Sequence, residues 1–213
     1  RRYGVEILNV FIPYFPAARQ DRVMVIGEPL SIKVYADLLN QLNLNKITIY
    51  DPHSEVTPAV LNNCAVITNH LFIRKVVSAL DKDILLISPD GGALKKIYKV
   101  FEFLGGKPVI ECSKIRNVKN GKLEGFKVYE EDLKEKDCLI VNDICDGGGT
   151  FIGLAKELKN KNAGNLYLAV SHGIFNKGFK VLNQHFTKIF TTDSFKTFEN
   201  GVEQIEIKEL LKD

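Results

Sequence analysis

The chain has 213 residues, 45% of them hydrophobic, and 29 basic side chains stand against 26 acidic ones for a formal net charge of +3. That length can bury one or two cores, and the near balance of charge excludes a broad polyanion-binding surface, so nucleic acid is not an expected partner. No apolar run of about 18 residues and no charged-then-apolar leader occurs, which removes the membrane and secretory classes and leaves a cytoplasmic protein as the expectation.

The opening Arg1-Arg2-Tyr3-Gly4 has no methionine and runs directly into VEILNVFI (5–12), a strand-like apolar run, so a missing N-terminal segment is expected. PYFPAARQDR (13–22) follows that strand. Arg19 and Arg22, which flank Gln20 and Asp21, can straddle a polyphosphate with forked donors while Asp21 fixes one fork; a solvated arginine pair is the plain alternative. LSIKVYADLLNQLN (30–43) has helical spacing, and KITIYD (46–51) reads as a strand ending in DPHS, which sets Asp51 and His53 at its carboxyl end. A domain boundary is placed near Thr68 and Asn69, giving 1–68 and 69–213, because a helix (NHLFIRKVVSAL, 69–80) and a second strand-rich set begin there.

DILLISP (83–89) leads into SPDGG (88–92), with Asp90 before a glycine turn. His53 and Asp90 together can reach a Mg2+ that carries phosphate oxygens, although each alone is as readily a capping group. After the helical GALKKIYKVFEFL (92–104) and the strand KPVIECS (107–113), residues 113–127 are expected to form a long basic flap whose Asn-Gly favours a hairpin turn. Lys114 and Arg116 on it can close over a reacting phosphate or simply face solvent.

CLIV (138–141) then gives way to VNDICDGGGT (141–150) and the helical FIGLAKELKNKN (151–162). A glycine-rich strand-to-helix turn aims backbone N–H groups at one spot, which suits a phosphate. Thr150 can cap the helix or donate to the same anion, and Asp143 and Asp146 can accept from sugar hydroxyls or hold a hydrated Mg2+. A simple tight turn is the alternative. NLYLAVS (165–171) is a strand ending at His172 in SHGIF, a pocket or capping residue; GFKVLNQHF (178–186) reads as helix and KIFTTD (188–193) as strand. The alternation predicts an α/β fold with parallel sheets flanked by helices, and ligands of such sheets collect at strand carboxyl ends. The four cysteines (Cys64, Cys112, Cys138, Cys145) lack zinc-site spacing and are expected to be reduced. GxxxxGK[ST], GxGxxG after a strand and GxSxG are all absent from the sequence.

In this order PYFPAARQDR, EPLSIKVYADLL, DPHS, SPDGG, Lys114-x-Arg116, VNDICDGGGT and SHGIF resemble ribose-phosphate diphosphokinase, the enzyme that makes phosphoribosyl pyrophosphate (PRPP). The resemblance covers nearly the whole chain and implies tandem type I phosphoribosyltransferase-like domains, the first lacking its N-terminal part, usually assembled as dimers or hexamers. It implies an ATP side in 1–68 and a ribose-phosphate side in 69–213. Arg19, Gln20, Arg22 and His53 would bind ATP, His53 and Asp90 would bind Mg2+, and Lys114 with Arg116 would act on the moving diphosphoryl group. Asp143 would hold the ribose hydroxyls, and Asp146, Gly147, Gly148, Gly149 and Thr150 the 5-phosphate.

Two positions depart from the family pattern. Asn142-Asp143 stands where the family usually has two adjacent acids, and Gly147 where it usually has threonine or cysteine-type variety inside a DTGGT-like loop. The second change is expected to cost a hydrogen bond to phosphate and to make room, which suits a phage-encoded branch of the family that diphosphorylates ADP-ribose in the host cytoplasm for NAD rebuilding. The expected activity is diphosphoryl transfer from MgATP to ribose 5-phosphate, with ADP-ribose as the alternative acceptor. A catalytically silent regulatory subunit and a base-transferring phosphoribosyltransferase are the competing classes; the latter leaves RQDR and DxHS unexplained.

Overall fold

The computed structural model describes residues 3–80, 83–116 and 123–212. The chain divides into two compact units, Arg1–Asn69 and His70–Asp213, each with its own sheet.

The first unit contains β1 (Asn9–Ile12), α1 (Ser31–Gln41), β2 (Lys46–Tyr50), α2 (Val56–Val60) and β3 (Cys64–Ile67). Its three strands are parallel in the order β1-β2-β3, with Val10 opposite Ile47 and Ile47 opposite Cys64. Ile47 and Ile49 alternate inward, and Ile32 and Ala36 of α1 pack on them together with Phe15, Ala18, Leu44 and Leu61. The strand-like run 5–12 is paired only from Asn9 onward, and β3 and α2 were not legible as separate elements.

The second unit contains α3 (His70–Ser78), β4 (Leu85–Ser88), α4 (Leu94–Phe103), β5 (Val109–Arg116), β6 (Leu123–Val128), β7 (Cys138–Cys145), α5 (Gly149–Asn160), β8 (Leu166–Gly173), β9 (Lys188–Thr192), β10 (Glu203–Ile205) and α6 (Ile207–Leu210). The sheet order is β10-β9-β8-β7-β4-β5-β6, parallel except for the antiparallel pair of β5 and β6. From β4 the chain steps to β5 on one side, then returns to β7 on the other. The β4–β7 junction is therefore the topological switch point, where open α/β sheets hold their ligands. With right-handed crossovers, the rule for parallel strands, opposite directions of travel from the switch point set α4 and α5 on opposite faces. The core beneath α5 joins its Phe151, Leu154, Ala155 and Leu158 to Leu85, Ile87, Cys138, Ile140, Leu166, Leu168 and Val170.

Two expectations are corrected. The expected flap 113–127 is largely an extension of the sheet: β5 runs to Arg116 and pairs with β6, with a register shift between Ile115 and Arg116, because alternate side chains such as Cys112, Phe126 and Val128 have a core to enter. The Asn-Gly turn itself lies outside the described residues, as does the Arg116 side chain. The run 178–186 is not a helix but a single 3-10 turn at Leu182–Gln184, since Phe179, Leu182 and Phe186 are drawn into the core cluster from an irregular backbone.

Candidate functional site

In the first unit, the segment after β1 and the end of β2 meet at a cleft of about 430 Å³ lined by Arg19, Gln20, Asp21, Arg22, Met24, Glu28, Pro29 and His53. Ala17, with φ of 55°, turns the chain in the left-handed region just before Arg19. Arg19, Gln20 and Arg22 are exposed, whereas Asp21 is buried. Asp21 Oδ1 accepts from Arg22 Nε at 3.1 Å, so the acid between the two arginines does hold one guanidinium. Burial would push the Asp21 carboxyl up, but hydrogen bonds from Arg22 and Ser54 and the charges of Arg22 and His53 leave it below its ordinary value. Its second oxygen, Oδ2, is buried without a hydrogen-bond partner. Asp51, at the end of β2, is buried and has φ of 36°, a conformation that costs about 1–3 kcal/mol for a non-glycine residue. The sequence pointed to most of this cleft but missed Glu28, whose Oε2 accepts from the N–H groups of Met24 and Val25 and closes the loop.

In the second unit, residues of β5 and β7 and of the turn after β4 lie about the switch point. Asp90 follows β4. Its Oδ1 accepts from the N–H groups of Gly92 and Ala93 at 3.0 and 3.2 Å, and its Oδ2 takes Lys114 Nζ at 2.5 Å. Two residues expected to serve different ligands are thus partners of each other. Asp143 lies on neighbouring β7, buried, with Oδ1 accepting from the Ile144 N–H and Oδ2 4.0 Å from Lys96 Nζ. Lys96 was missed by the sequence reading; its signal was its place one turn into the helix that follows SPDGG.

The glycine turn is not uniform. Gly148 has φ of 76°, and a Cβ there would stand 3.0 Å from Leu182, so both backbone and packing demand glycine. A Cβ on Gly149 would meet open space, and one on Gly147 would make only ordinary contacts. Gly148 is the N-cap of α5, and no side chain caps the helix. Thr150 lies inside the first turn, which corrects its expected capping role: with the cap taken by a left-handed glycine, the first N–H groups of a twelve-residue helix are left to bind an anion. Asp146 is half-buried beside them.

His172 is buried on β8 and bonded to Ser194. The Ser194 hydroxyl donates to the Ser171 carbonyl at 2.9 Å, so its oxygen is left to accept from His172 Nδ1 at 2.8 Å. Among the described residues, no group of three or more His, Cys, Asp or Glu side chains is placed to hold a metal ion, and no helix is long and apolar enough to cross a membrane.

No protein-family profile matches the chain. It is similar to ribose-phosphate pyrophosphokinase of Mycoplasma genitalium, 30% identical over 220 residues that cover 99% of this chain and 65% of the relative. It is also similar to that of Thermococcus kodakarensis, 33% identical over 186 residues that cover 84% of this chain and 62% of the relative. The chain thus spans somewhat less than two thirds of these curated relatives. In fold it matches phosphoribosylpyrophosphate synthetase from Mycobacterium smegmatis with a TM-score of 0.86 at 23% identity, over 99% of this chain and 70% of that one. The α/β architecture, its parallel sheets and the sequence matches agree in direction: over nearly its whole length the chain is similar to ribose-phosphate pyrophosphokinases.

Proposed function

We propose that the first unit binds ATP, that the second binds ribose 5-phosphate, and that the protein transfers the diphosphoryl group of ATP to the sugar, giving PRPP and AMP. The observation that carries this reading is the uncapped, glycine-led N-terminus of α5 beside buried Asp143 at the switch point of the seven-stranded sheet. A phosphate binds at the turn from Asp146 to Thr150, on its amides other than that of Gly148, which bonds to Cys145, and the Asp143 carboxylate takes ribose hydroxyls beside it. Arg19, Gln20 and Arg22 hold the triphosphate in the first unit's cleft.

The sugar C1 hydroxyl oxygen attacks the β-phosphorus of ATP, its proton passes to water, and the bond from that phosphorus to the α-phosphate oxygen breaks with its electron pair leaving on AMP. No covalent nucleophile is needed, only in-line placement and cations for the growing charge. Lys114 supplies one; to do so it exchanges Asp90 for a phosphoryl oxygen, and Asp90 keeps its two amide donors. Arg116 is the second.

Mg2+ would come with ATP, since magnesium keeps several waters and takes one or two protein carboxylates plus phosphate oxygens. His53 lines the cleft of the first unit, and Asp90 would offer a carboxylate once Lys114 leaves it. The ion would neutralise charge on the phosphates.

The volume expected to be freed at Gly147 for a larger 5-substituent is bordered by Asn176 and Lys177, and ribose 5-phosphate is therefore preferred over ADP-ribose as acceptor. The reading is tested by incubating the protein with MgATP and each sugar and following AMP release. AMP and PRPP with ribose 5-phosphate are expected; AMP only with ADP-ribose would reassign the acceptor, and none with either would overturn the reading.

A further inference from the structure

The geometry points to Lys177, with Asn176 beside it, as the residue that completes the phosphate cradle and sets specificity for a phosphorylated sugar. This inference rests on the sugar-phosphate reading above. A Cβ built on Gly147 would lie 3.4 Å from Asn176 Oδ1 and 3.5 and 3.6 Å from Lys177 Cε and Cδ. The two side chains therefore lie against the place that a hydroxyl-bearing residue would take at position 147, and the ammonium is one bond beyond the nearer lysine carbon.

The segment that carries them is fastened to the glycine turn. Ile174 and Phe175 donate their N–H groups to the Cys145 carbonyl at 2.9 and 3.1 Å, and Asn176 donates to the Asp146 carbonyl at 3.2 Å. Phe175 and Gly178 both take the left-handed conformation, with φ of 46° and 67°, which folds the segment back on itself. Below it, the rings of Phe175, Phe179 and Phe198 pack in a triangle with centroids 4.8 to 5.5 Å apart. The exposed tip is thus held by backbone bonds and a ring cluster, and Lys177 enters no ion pair among the described residues.

A cation held beside uncapped helix amides has one class of ligand that satisfies both, an anion with several oxygens; here it is the 5-phosphate monoester. With no side chain at position 147 to donate to that group, Lys177 supplies a charged donor.

The test uses the whole chain with ribose 5-phosphate and with unphosphorylated ribose as probes, followed by calorimetry and by AMP release. Lys177→Met is expected to raise the KM and Kd for ribose 5-phosphate about ten- to a hundredfold, the range of a charge-assisted hydrogen bond. The kcat and the KM for MgATP stay unchanged, the salt dependence of sugar-phosphate binding flattens, and Lys177→Arg keeps most of the affinity. Adding Gly147→Ser to Lys177→Met restores part of the loss. If the wild type binds ribose 5-phosphate and Lys177→Met binds it equally well, Lys177 has no such role and the proposed function stands. If the wild type binds ribose no less tightly than ribose 5-phosphate, or binds neither, both readings fall.

Discussion

The first unit gathers Phe15, Ala18, Ile32, Ala36, Leu44, Ile47, Ile49 and Leu61 around three short strands, while the second builds a far larger cluster around seven. The first also leaves apolar side chains exposed: Val34 and Leu38 on α1 and Leu42 just past its end are 56%, 57% and 58% exposed, and Ile26 is wholly so. A small unit shields less of its surface per residue than a large one, so the arginine cleft stands on the weaker scaffold and the phosphate turn on the stronger. This division matches their proposed tasks. A polyphosphate is gripped by long guanidinium side chains that adjust to it, whereas a phosphate bound by backbone amides needs the backbone fixed in advance.

The largest expected effect tests that contrast directly. Ile49→Ala removes a fully buried side chain from the small core and should cost about 2–5 kcal/mol, a large share of what a small unit has to lose. Amide exchange should then show the first unit opening while β7 and β8 remain protected. Leu168→Ala in the large cluster should cost a similar amount without selectively opening its own unit. Equal protection of both units in the wild type would end the comparison.

Next comes Lys114→Met. Loss of a cation from developing charge should lower kcat at least about a hundredfold, with the melting curve nearly unchanged because a part-exposed ion pair is worth about 1 kcal/mol or less. Retention of activity would assign the Asp90–Lys114 pair to structure alone. A smaller effect is expected at the turn: Gly148→Ala must adopt a left-handed φ and displace Leu182, costing about 1–2 kcal/mol, whereas Gly147→Ala and Gly149→Ala should stay within about 0.5 kcal/mol. Urea midpoints of the three variants check this, and equal losses would show that the triplet acts as one unit.

Much of this architecture can be read from residues 46–193. Long apolar runs such as LLIS and LYLAV announce buried parallel strands, and glycines between strand and helix announce the turn. What escaped reading did so for physical reasons. Glu203–Ile205 and Cys64–Ile67 are too short to show a period, and they pair because a neighbouring strand offers an edge. The run 178–186 has helical spacing but obeys the core, which needs Leu182 against Gly148 more than it needs a helix. Within the site, the strand-end acids and the arginine pair were visible, while Lys96 and Lys177 were not, since a lysine on a helix or loop looks like solvent-facing charge until the topology sets it beside Asp143 or Gly147.

The cysteines carry the same contrast to high pH. Burial pushes the Cys64 thiol of the first unit above its ordinary value, and Cys64 is only half-buried at the start of edge strand β3. In the second unit, burial first, and then the neighbouring Cys138 and Glu157, push Cys112 up to about 12. Burial, with Asp137 adding to it, takes Cys138 to about 12, and burial with Asp146 takes Cys145 to the same value against a Gly148 hydrogen bond that lowers it. Unfolded, such thiols ionise near the ordinary value of 9.0. Between about 9 and about 12 the unfolded chain therefore holds fewer protons than the folded one, and stability falls as pH rises through that window while being indifferent to these groups below it. The expected outcome is a urea midpoint for the second unit that is flat with respect to these thiols at neutral pH and declines above about 9, together with slow native alkylation of Cys64 alone. Rapid native alkylation of Cys145 would show that the turn beside it opens to solvent, and the stronger scaffold would then be the wrong description of the phosphate side.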